Sequence, residues 1–199
     1  DSIGLEGMIP LWFGEPDVST PEFICKSAIK AMQDGQTFYT PNRGIPELRE
    51  AIASYTASLY STSMTMDRVT VMASGMSGIM VSHQLLVESG TNIVCPIPLW
   101  PNIRGTVDIL GGDWRPVPLH LKNKSWHLDL DHLFDQVDKQ TRVVFINSPN
   151  NPSGTICNNL QEIAKIAKKY KIIVLSDEIY SELTFNDEYK SISYFYPEG

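Results

Sequence analysis

The spacing of apolar residues along this chain changes repeatedly between a helical pattern and a strand pattern. Apolar residues recur every three or four positions in several segments bounded by Pro, Gly or Asn, which predicts amphipathic helices. Short continuous apolar runs between them predict strands that are buried on both faces. The predicted helices are 19–35, 46–55, 74–90, 100–112, 128–137 and 158–171, and the predicted strands are 68–73, 92–98, 114–119, 142–148 and 172–178. This alternation indicates an α/β fold with a mostly parallel sheet and right-handed crossovers.

The last predicted strand carries polar residues at its C-terminal end. Four apolar residues, 172–175, are followed by Ser176, Asp177 and then Tyr180. Ligands of open parallel sheets bind at the carboxyl edge of the strands, which predicts that Asp177 and Tyr180 face a ligand there. The alternative, which this segment alone leaves open, is that Ser176 or Asp177 caps the following turn.

Composition narrows the possible functions. The chain has 199 residues, of which 42% are hydrophobic and 20% charged, so it can form one sizeable core. Its net charge of -7, without a basic patch, disfavours a nucleic-acid partner or an anionic membrane. No apolar run reaches the length of a membrane span. The scattered Cys25, Cys95 and Cys157 lack metal-ligand spacing and predict reduced thiols in a cytoplasmic protein.

Three further segments at predicted strand ends could bind a ligand. Gly75, Met76 and Ser77 begin a helix, where backbone amides and a hydroxyl can hold a phosphate. A tight turn that requires glycine would look the same, and the segment is neither a Walker loop nor a G-x-G-x-x-G motif. Trp100 can stack on a planar aromatic ligand, or it belongs to the core. Asn151 lies in the rigid turn SPNNPSGT, where its amide can donate and accept hydrogen bonds.

Together with Asp177 and Tyr180, these groups fit a phosphorylated, hydroxylated pyridine. Asp177 would pair with the ring nitrogen and keep it protonated, because a nearby opposite charge raises the pKa of a cation. A protonated ring is the electron sink that carbanion chemistry requires. Asn151 and Tyr180 would share the 3-oxygen of the ring. His83 is spaced like its apolar neighbours and is predicted to pack rather than to bind a ligand.

In these motifs the chain resembles the class I and II aminotransferases, the aspartate aminotransferase branch of the fold-type I pyridoxal-phosphate enzymes. The matching segments are LWFGEPD, FYTPNRGIPELREAI, SGMSGIM, PLWPN, SPNNPSGT and SDEIY, in the family's order and spacing. The resemblance implies a three-layer α/β/α fold, the large domain of these transferases in truncated form, with pyridoxal 5'-phosphate as cofactor. The implied reaction moves an amino group between an amino acid and a 2-oxo acid.

The resemblance also implies which residues form the site. Asp177 and Tyr180 are the implied catalytic residues. Met76 departs from the small residue that is usual at its position, but its amide remains available to the phosphate. The implied cofactor-binding residues are Gly75, Met76, Ser77, Trp100, Asn151, Asp177, Tyr180 and Tyr39, and the implied substrate-binding residues are Gly14, Trp100 and Asn151.

Two of these residues lie near the N-terminus. Tyr39 resembles the tyrosine that reaches the phosphate of the neighbouring subunit, which implies a homodimer with its sites at the interface. Gly14 resembles the glycine whose amide meets the substrate carboxylate. We expect residues 1–38 to form an N-terminal arm and small-domain segment, and residues 39–199 to form the first part of the large pyridoxal-phosphate-binding domain.

The family's Schiff-base lysine and its arginine for the substrate's α-carboxylate have no counterpart in this sequence. Lys190 lies too close to the strand that carries Asp177 and is predicted to be a surface residue. The first residue is not Met and the sequence stops before both motifs. We therefore expect a piece of a longer enzyme that is inactive by itself.

Three functions are compatible with these motifs. A transaminase is the leading one. A lyase of the same fold, such as a β C–S lyase or an aminocyclopropane-carboxylate synthase relative, would form pyruvate or ammonia instead. A non-catalytic aminotransferase-like effector domain of a regulator would have a DNA-binding domain upstream. Arg43 and Arg104 could bind a second carboxylate and so favour aspartate or glutamate, or they are ordinary surface arginines.

Overall fold

The computed structural model describes residues 6–9, 14–185 and 189–197, which form two units, Asp1–Pro41 and Asn42–Gly199. The first unit contains helix α1 (Glu22–Gln33), as predicted. Pro21 takes the N-cap position, and no side chain caps this helix. Gly35, with φ +74°, follows the helix in the left-handed conformation that glycine adopts readily. The assignment of this unit to an arm and a small domain stays a prediction.

The second unit is organised around a parallel sheet. Its strands are β1 (Asn92–Ile97), β2 (Asp113–Pro118), β5 (Thr141–Asn147) and β6 (Ile173–Asp177). They lie in the order β2-β1-β5-β6, and every pairing between them is parallel, which confirms the predicted α/β fold. The strands β3 (His120–Lys122) and β4 (Ser125–His127) form a separate antiparallel hairpin that the apolar pattern did not predict.

Helices connect and cover these strands. They are α2 (Pro46–Tyr60), α3 (Gly75–Leu86), α4 (Asn102–Leu110), α5 (Leu130–Asp135), α6 (Leu160–Tyr170) and α7 (Ile192–Phe195). All but the short α7 were predicted. In the part of the chain that the structure describes, no helix is long and apolar enough to cross a membrane.

Strand β5 shows why the unit has three layers. Successive residues of a strand point to opposite faces of the sheet. Val144 and Ile146 pack in one apolar cluster with residues of α5 and α6. Val143 and Phe145 pack in a second cluster with residues of α3 and α4. Both faces of the sheet are therefore covered by helices, which is the α/β/α arrangement.

The predicted strand over residues 68–73 is wrong. Val69 has extended backbone angles, but no strand among the described residues pairs with this segment. Its backbone is instead hydrogen-bonded to α2 and to the loop before it. The Arg43 carbonyl in that loop accepts the Val71 N–H at 3.0 Å, and Arg49 Nε in α2 donates to the Val69 carbonyl at 2.9 Å. An apolar run forms a strand only where a partner strand is present, and the local sequence carries no information about that partner.

Strand β6 differs from the sequence prediction in its burial. Within the described residues it pairs with β5 on one side only, so it is an edge strand. Its residues are partly exposed, and Ile173 keeps 46% of its surface. The apolar run that predicted a strand covered on both faces is therefore covered less completely than that of β5.

His83 is a packing residue of α3, as predicted. Its side chain is fully buried, and its ring meets the Phe145 ring edge to face at 6.0 Å. The Thr106 hydroxyl donates its proton to the Ile103 carbonyl at 2.7 Å, so it can only accept from His83 Nδ1, also at 2.7 Å. Nδ1 therefore carries a proton, and Nε2 has no partner in the described part of the chain, so a second proton on the ring is disfavoured. Burial lowers the pKa of His83.

We expect acid to destabilise the chain through His83. Below about pH 6.5 the unfolded chain takes up a proton that the folded chain, with its lowered pKa, does not bind, so the free energy of unfolding falls as the pH drops. Above that pH the imidazole is neutral in both states and contributes no slope. Urea unfolding between pH 5 and 8 would measure this, and His83→Gln should flatten the dependence. The same change at the exposed His127 is the control; an unaltered slope in the His83 variant would contradict the prediction.

Candidate functional site

The polar residues predicted for the site follow three neighbouring strands. Trp100 comes three residues after β1, Asn151 comes four residues after β5, and Asp177 is the last residue of β6. Because β1, β5 and β6 are parallel and adjacent, their carboxyl ends meet at one edge of the sheet. The structure thus brings these three residues to the same edge.

The start of α3 presents free backbone donors. Ser74 is the N-cap, and its hydroxyl oxygen accepts the Ser77 N–H at 3.1 Å and lies 3.0 Å from the Ser77 hydroxyl. The amides of Gly75 and Met76 have no partner among the described residues. A Cβ placed on Gly75 would meet nothing within 4 Å, so the space beside the Gly75 Cα is open. Free N–H groups at the positive end of a helix dipole suit an anion.

Helix α3 is fixed against the sheet. The Met76 side chain packs against the cluster that contains Phe145. Leu99, next to Trp100, and Leu175, two residues before Asp177, pack against the same cluster. The first turn of α3 and the ends of β1 and β6 therefore share one apolar support.

The ends of β5 and β6 are joined by side-chain hydrogen bonds. Asn147 and Asp177 are partners in the parallel register. Asn147 Nδ2 donates to the Asp177 carbonyl at 3.1 Å, and Asn147 Oδ1 accepts the Asn151 N–H at 2.7 Å. The Ser148 N–H also donates to the Asp177 carbonyl, at 3.0 Å. Asn151 and Asp177 are thus held through one shared side chain.

Asn150 links the same loop to the end of β1. Its Nδ2 donates to the Pro98 carbonyl at 3.3 Å, while its Oδ1 accepts from the Ser153 N–H at 3.0 Å and the Ser153 hydroxyl at 2.7 Å. Sequence reasoning did not select Asn147 or Asn150. The sequence shows only an amide residue at, or just after, the end of an otherwise apolar run.

The Asp177 carboxyl lies in an environment that disfavours its charge. Burial raises the pKa of this carboxyl, the Ile179 N–H (3.3 Å from Oδ1) partly opposes the shift, and the charge of Glu178 adds to it. Among the described residues, no Lys, Arg or His forms an ion pair with Asp177. A half-buried carboxylate without a cation can be stabilised by a positively charged ligand.

The remaining predicted site residues have fewer contacts. Tyr180 is half-buried in the turn after β6, and its carbonyl accepts the Leu183 N–H at 2.9 Å. Trp100 remains partly exposed. In the first unit, Gly14 and Tyr39 are exposed, and their predicted roles stay predictions. Residues 11–13 of the LWFGEPD motif lie outside the described residues.

The basic residues considered at the sequence level have other contacts. Arg43 donates to the Asp67 carbonyl and, from Nε, to the Thr70 hydroxyl at 3.2 Å, so it holds the extended segment before α3. Arg104 pairs with Asp108 one turn along α4, at 3.4 Å. Lys190 is exposed and its Nζ lies 5.1 Å from the centre of the Tyr194 ring. Lys190 is thus the surface residue that was predicted.

The free amides at the start of α3 and the Asp177 carboxylate, which has no cationic partner among the described residues, belong to an α/β domain with a parallel sheet, a fold whose ligands bind at the carboxyl edge. The chain belongs to the aminotransferase class I and II family, because the sequence model of that family matches residues 6–196.

Relatives of known name and structure agree with this membership. The aspartate aminotransferase of Pyrococcus horikoshii is 35% identical over 186 residues, which cover 92% of this chain and 47% of that protein. An aspartate aminotransferase tetra mutant of Thermus thermophilus superposes with a TM-score of 0.89 at 30% identity, covering 96% of this chain and 54% of that one. An alanine aminotransferase from Pyrococcus furiosus gives a TM-score of 0.85 at 30% identity, with 89% and 46% covered. This chain spans about half the length of these relatives.

Proposed function

We propose that this chain supplies the cofactor-binding half of a pyridoxal-phosphate-dependent aminotransferase. The observation that carries the proposal is the joint placement of Asn151 and Asp177, which contact one buried side chain at the carboxyl edge of the sheet. This chain covers 47% of the aspartate aminotransferase of Pyrococcus horikoshii, so the activity is proposed for the full-length protein. The family membership and the half-length coverage of the relatives support this reading.

The second unit offers partners for the phosphate and for the ring nitrogen of pyridoxal 5'-phosphate. The free amides of Gly75 and Met76, with the Ser77 hydroxyl, would hold the phosphate. The Asp177 carboxyl, which lacks a cationic partner among the described residues, would pair with the ring nitrogen. When bound, the cofactor supplies an electron sink for the charge that develops on the α-carbon of an amino acid.

The chain's own groups would then orient the ring and control its protonation. Asp177 would hold a proton on the ring nitrogen, since a carboxylate within about 4 to 6 Å raises the pKa of a cation by about 1 to 3 units. The Asn151 amide and the Tyr180 hydroxyl would donate to the ring oxygen. Trp100, partly exposed beside the site, would cover one face of the ring and exclude water from it.

Substrates and assembly are part of the same proposal. An amino acid and a 2-oxo acid would exchange an amino group, with Gly14, Trp100 and Asn151 contacting the substrate. Tyr39 would reach the phosphate bound by a second subunit, which makes the active protein a homodimer. The scattered cysteines and the acidic net charge support a cytoplasmic enzyme without a nucleic-acid partner.

The test is to purify the full-length protein and record its absorption spectrum after it is mixed with pyridoxal 5'-phosphate. We expect a visible band of bound cofactor, and amino-group transfer that depends on added 2-oxo acid. Formation of pyruvate or ammonia from an amino acid without a 2-oxo acid would identify a lyase instead. A protein that binds the cofactor but converts no amino acid, and that continues upstream into a DNA-binding domain, would be a regulator.

A further inference from the structure

Asn147 is a buried polar residue at the end of β5 that none of the family motifs assigns to the site. Its side chain is 9% exposed, and the strand residues before it are mainly apolar and buried. A buried amide is costly unless its donor and its acceptor are both satisfied. The partners of Asn147 therefore show what this residue does.

Both partners belong to the proposed site. The Nδ2 group donates to the backbone carbonyl of Asp177, and Oδ1 accepts the backbone N–H of Asn151. These bonds connect the residue proposed to bind the ring nitrogen with the residue proposed to bind the ring oxygen. Few side chains besides asparagine can make both bonds here, because the group must be short and must donate and accept at once.

We propose that Asn147 is a positioning residue that fixes the distance between the Asp177 carboxyl and the Asn151 amide, so that one ring can contact both. The inference rests on the proposed function. Asn147 would act through the backbones of its two partners, to which both of its side-chain hydrogen bonds go. Without it, the loop after β5 can move relative to the end of β6, and a rigid planar ligand loses simultaneous contact with the two residues.

The chain contains a matched residue with a purely structural position. Asn92 is the first residue of β1, so it lies at the amino end of the strands, away from the proposed site, and it is 1% exposed. Its Nδ2 donates to Asp138 Oδ1 at 2.9 Å, and its Oδ1 accepts from the Thr141 hydroxyl at 2.7 Å. Asn92 and Asn147 thus share residue type, burial and number of side-chain bonds, but only Asn147 contacts the proposed site.

The experiment compares three variants of the full-length protein with the wild type. Asn147→Leu removes both bonds, Asn147→Asp keeps an acceptor for the Asn151 amide but loses the donor to Asp177, and Asn92→Leu is the control. Amide hydrogen exchange, followed by mass spectrometry without cofactor, reports on the loop. The dissociation constant of pyridoxal 5'-phosphate reports on the site.

We expect Asn147→Leu to speed exchange in residues 148–155 and to weaken cofactor binding roughly tenfold, since each lost hydrogen bond changes an equilibrium up to about tenfold. Asn147→Asp should keep the protection of the Asn151 amide. Asn92→Leu should speed exchange in residues 138–141. It should leave cofactor binding within about twofold of wild type, because Asn92 lies at the amino end of the strands, away from the proposed site.

Two results would overturn the inference while leaving the proposed function in place. The first is wild-type cofactor affinity in Asn147→Leu. The second is equal weakening in Asn92→Leu, which would mean that general stability, and not positioning, controls binding. A wild-type protein that binds no pyridoxal 5'-phosphate would overturn the proposed function and the inference together, even if the exchange results were as expected.

Discussion

Replacing Asp177 by alanine in the full-length protein is expected to lower the aminotransferase rate by roughly 10- to 1000-fold, the range that corresponds to a loss of about 1 to 3 pKa units at the ring nitrogen. Without the carboxylate the ring nitrogen loses its proton near neutral pH, and the electron sink weakens. The rate is measured by transfer of the amino group to a 2-oxo acid at saturating cofactor. Asp108→Ala, which removes an exposed carboxylate of α4, should leave the rate unchanged.

The Asp177 carboxylate should lower the free energy of unfolding, although the same group is expected to raise the aminotransferase rate. Burial raises the pKa of this carboxyl in the folded chain. The unfolded chain therefore loses this proton first, near the ordinary pKa of about 3.9, and the free energy of unfolding falls as the pH rises from there through the raised pKa. Asp177→Asn removes this charge and keeps the shape. Without cofactor it should unfold at the same or higher urea concentration than wild type, although it is impaired in catalysis. Loss of both stability and activity would indicate a structural role for the carboxyl.

Phe145→Ala should lower the free energy of unfolding by about 3 to 5 kcal/mol, more than any other substitution considered above. The ring is fully buried on the central strand β5, where it packs with residues of α3 and α4 and meets the His83 ring. Removing it leaves a cavity between the sheet and the helix that begins with the predicted phosphate site. Urea unfolding measures the effect.

Phe185→Ala is the matched control for this change. Phe185 is 101% exposed, so its truncation removes no buried surface and should change the free energy of unfolding by less than about 0.5 kcal/mol. Similar losses in the two variants would contradict the assigned core. Cofactor affinity should also fall in Phe145→Ala, because Asn147 lies two positions further along the same strand.

The sequence predicted the placement of Asp177 well, because a parallel sheet obeys a general rule about where its polar edge lies. It failed for residues 68–73, since strand pairing depends on a distant partner that local spacing does not encode. The hairpin of β3 and β4 was missed for a different reason. Its turn uses Asn123 and Lys124, with φ of 51° and 65°, in place of the Asn-Gly pair that normally signals such a turn.

The site itself was predictable only in part. Asn151 stands out in the sequence because prolines and a glycine surround it and make its turn rigid. Asn147 looks like the last residue of an apolar strand, and its role depends on which strand lies beside β5. That neighbour is set by the crossover through α6, a tertiary choice that residue types near position 147 do not reveal.

The partly exposed edge of β6 affects how this polypeptide behaves when it is produced on its own. Backbone groups along a strand edge are a template for addition of another chain, which leads to aggregation. Beside this edge lies a largely apolar groove of about 490 Å³, formed by β6, α6 and α7, and its lining includes Lys168 and Lys171. These two lysines, at the C-terminal end of α6, place positive charge in the groove next to β6, which opposes such self-association.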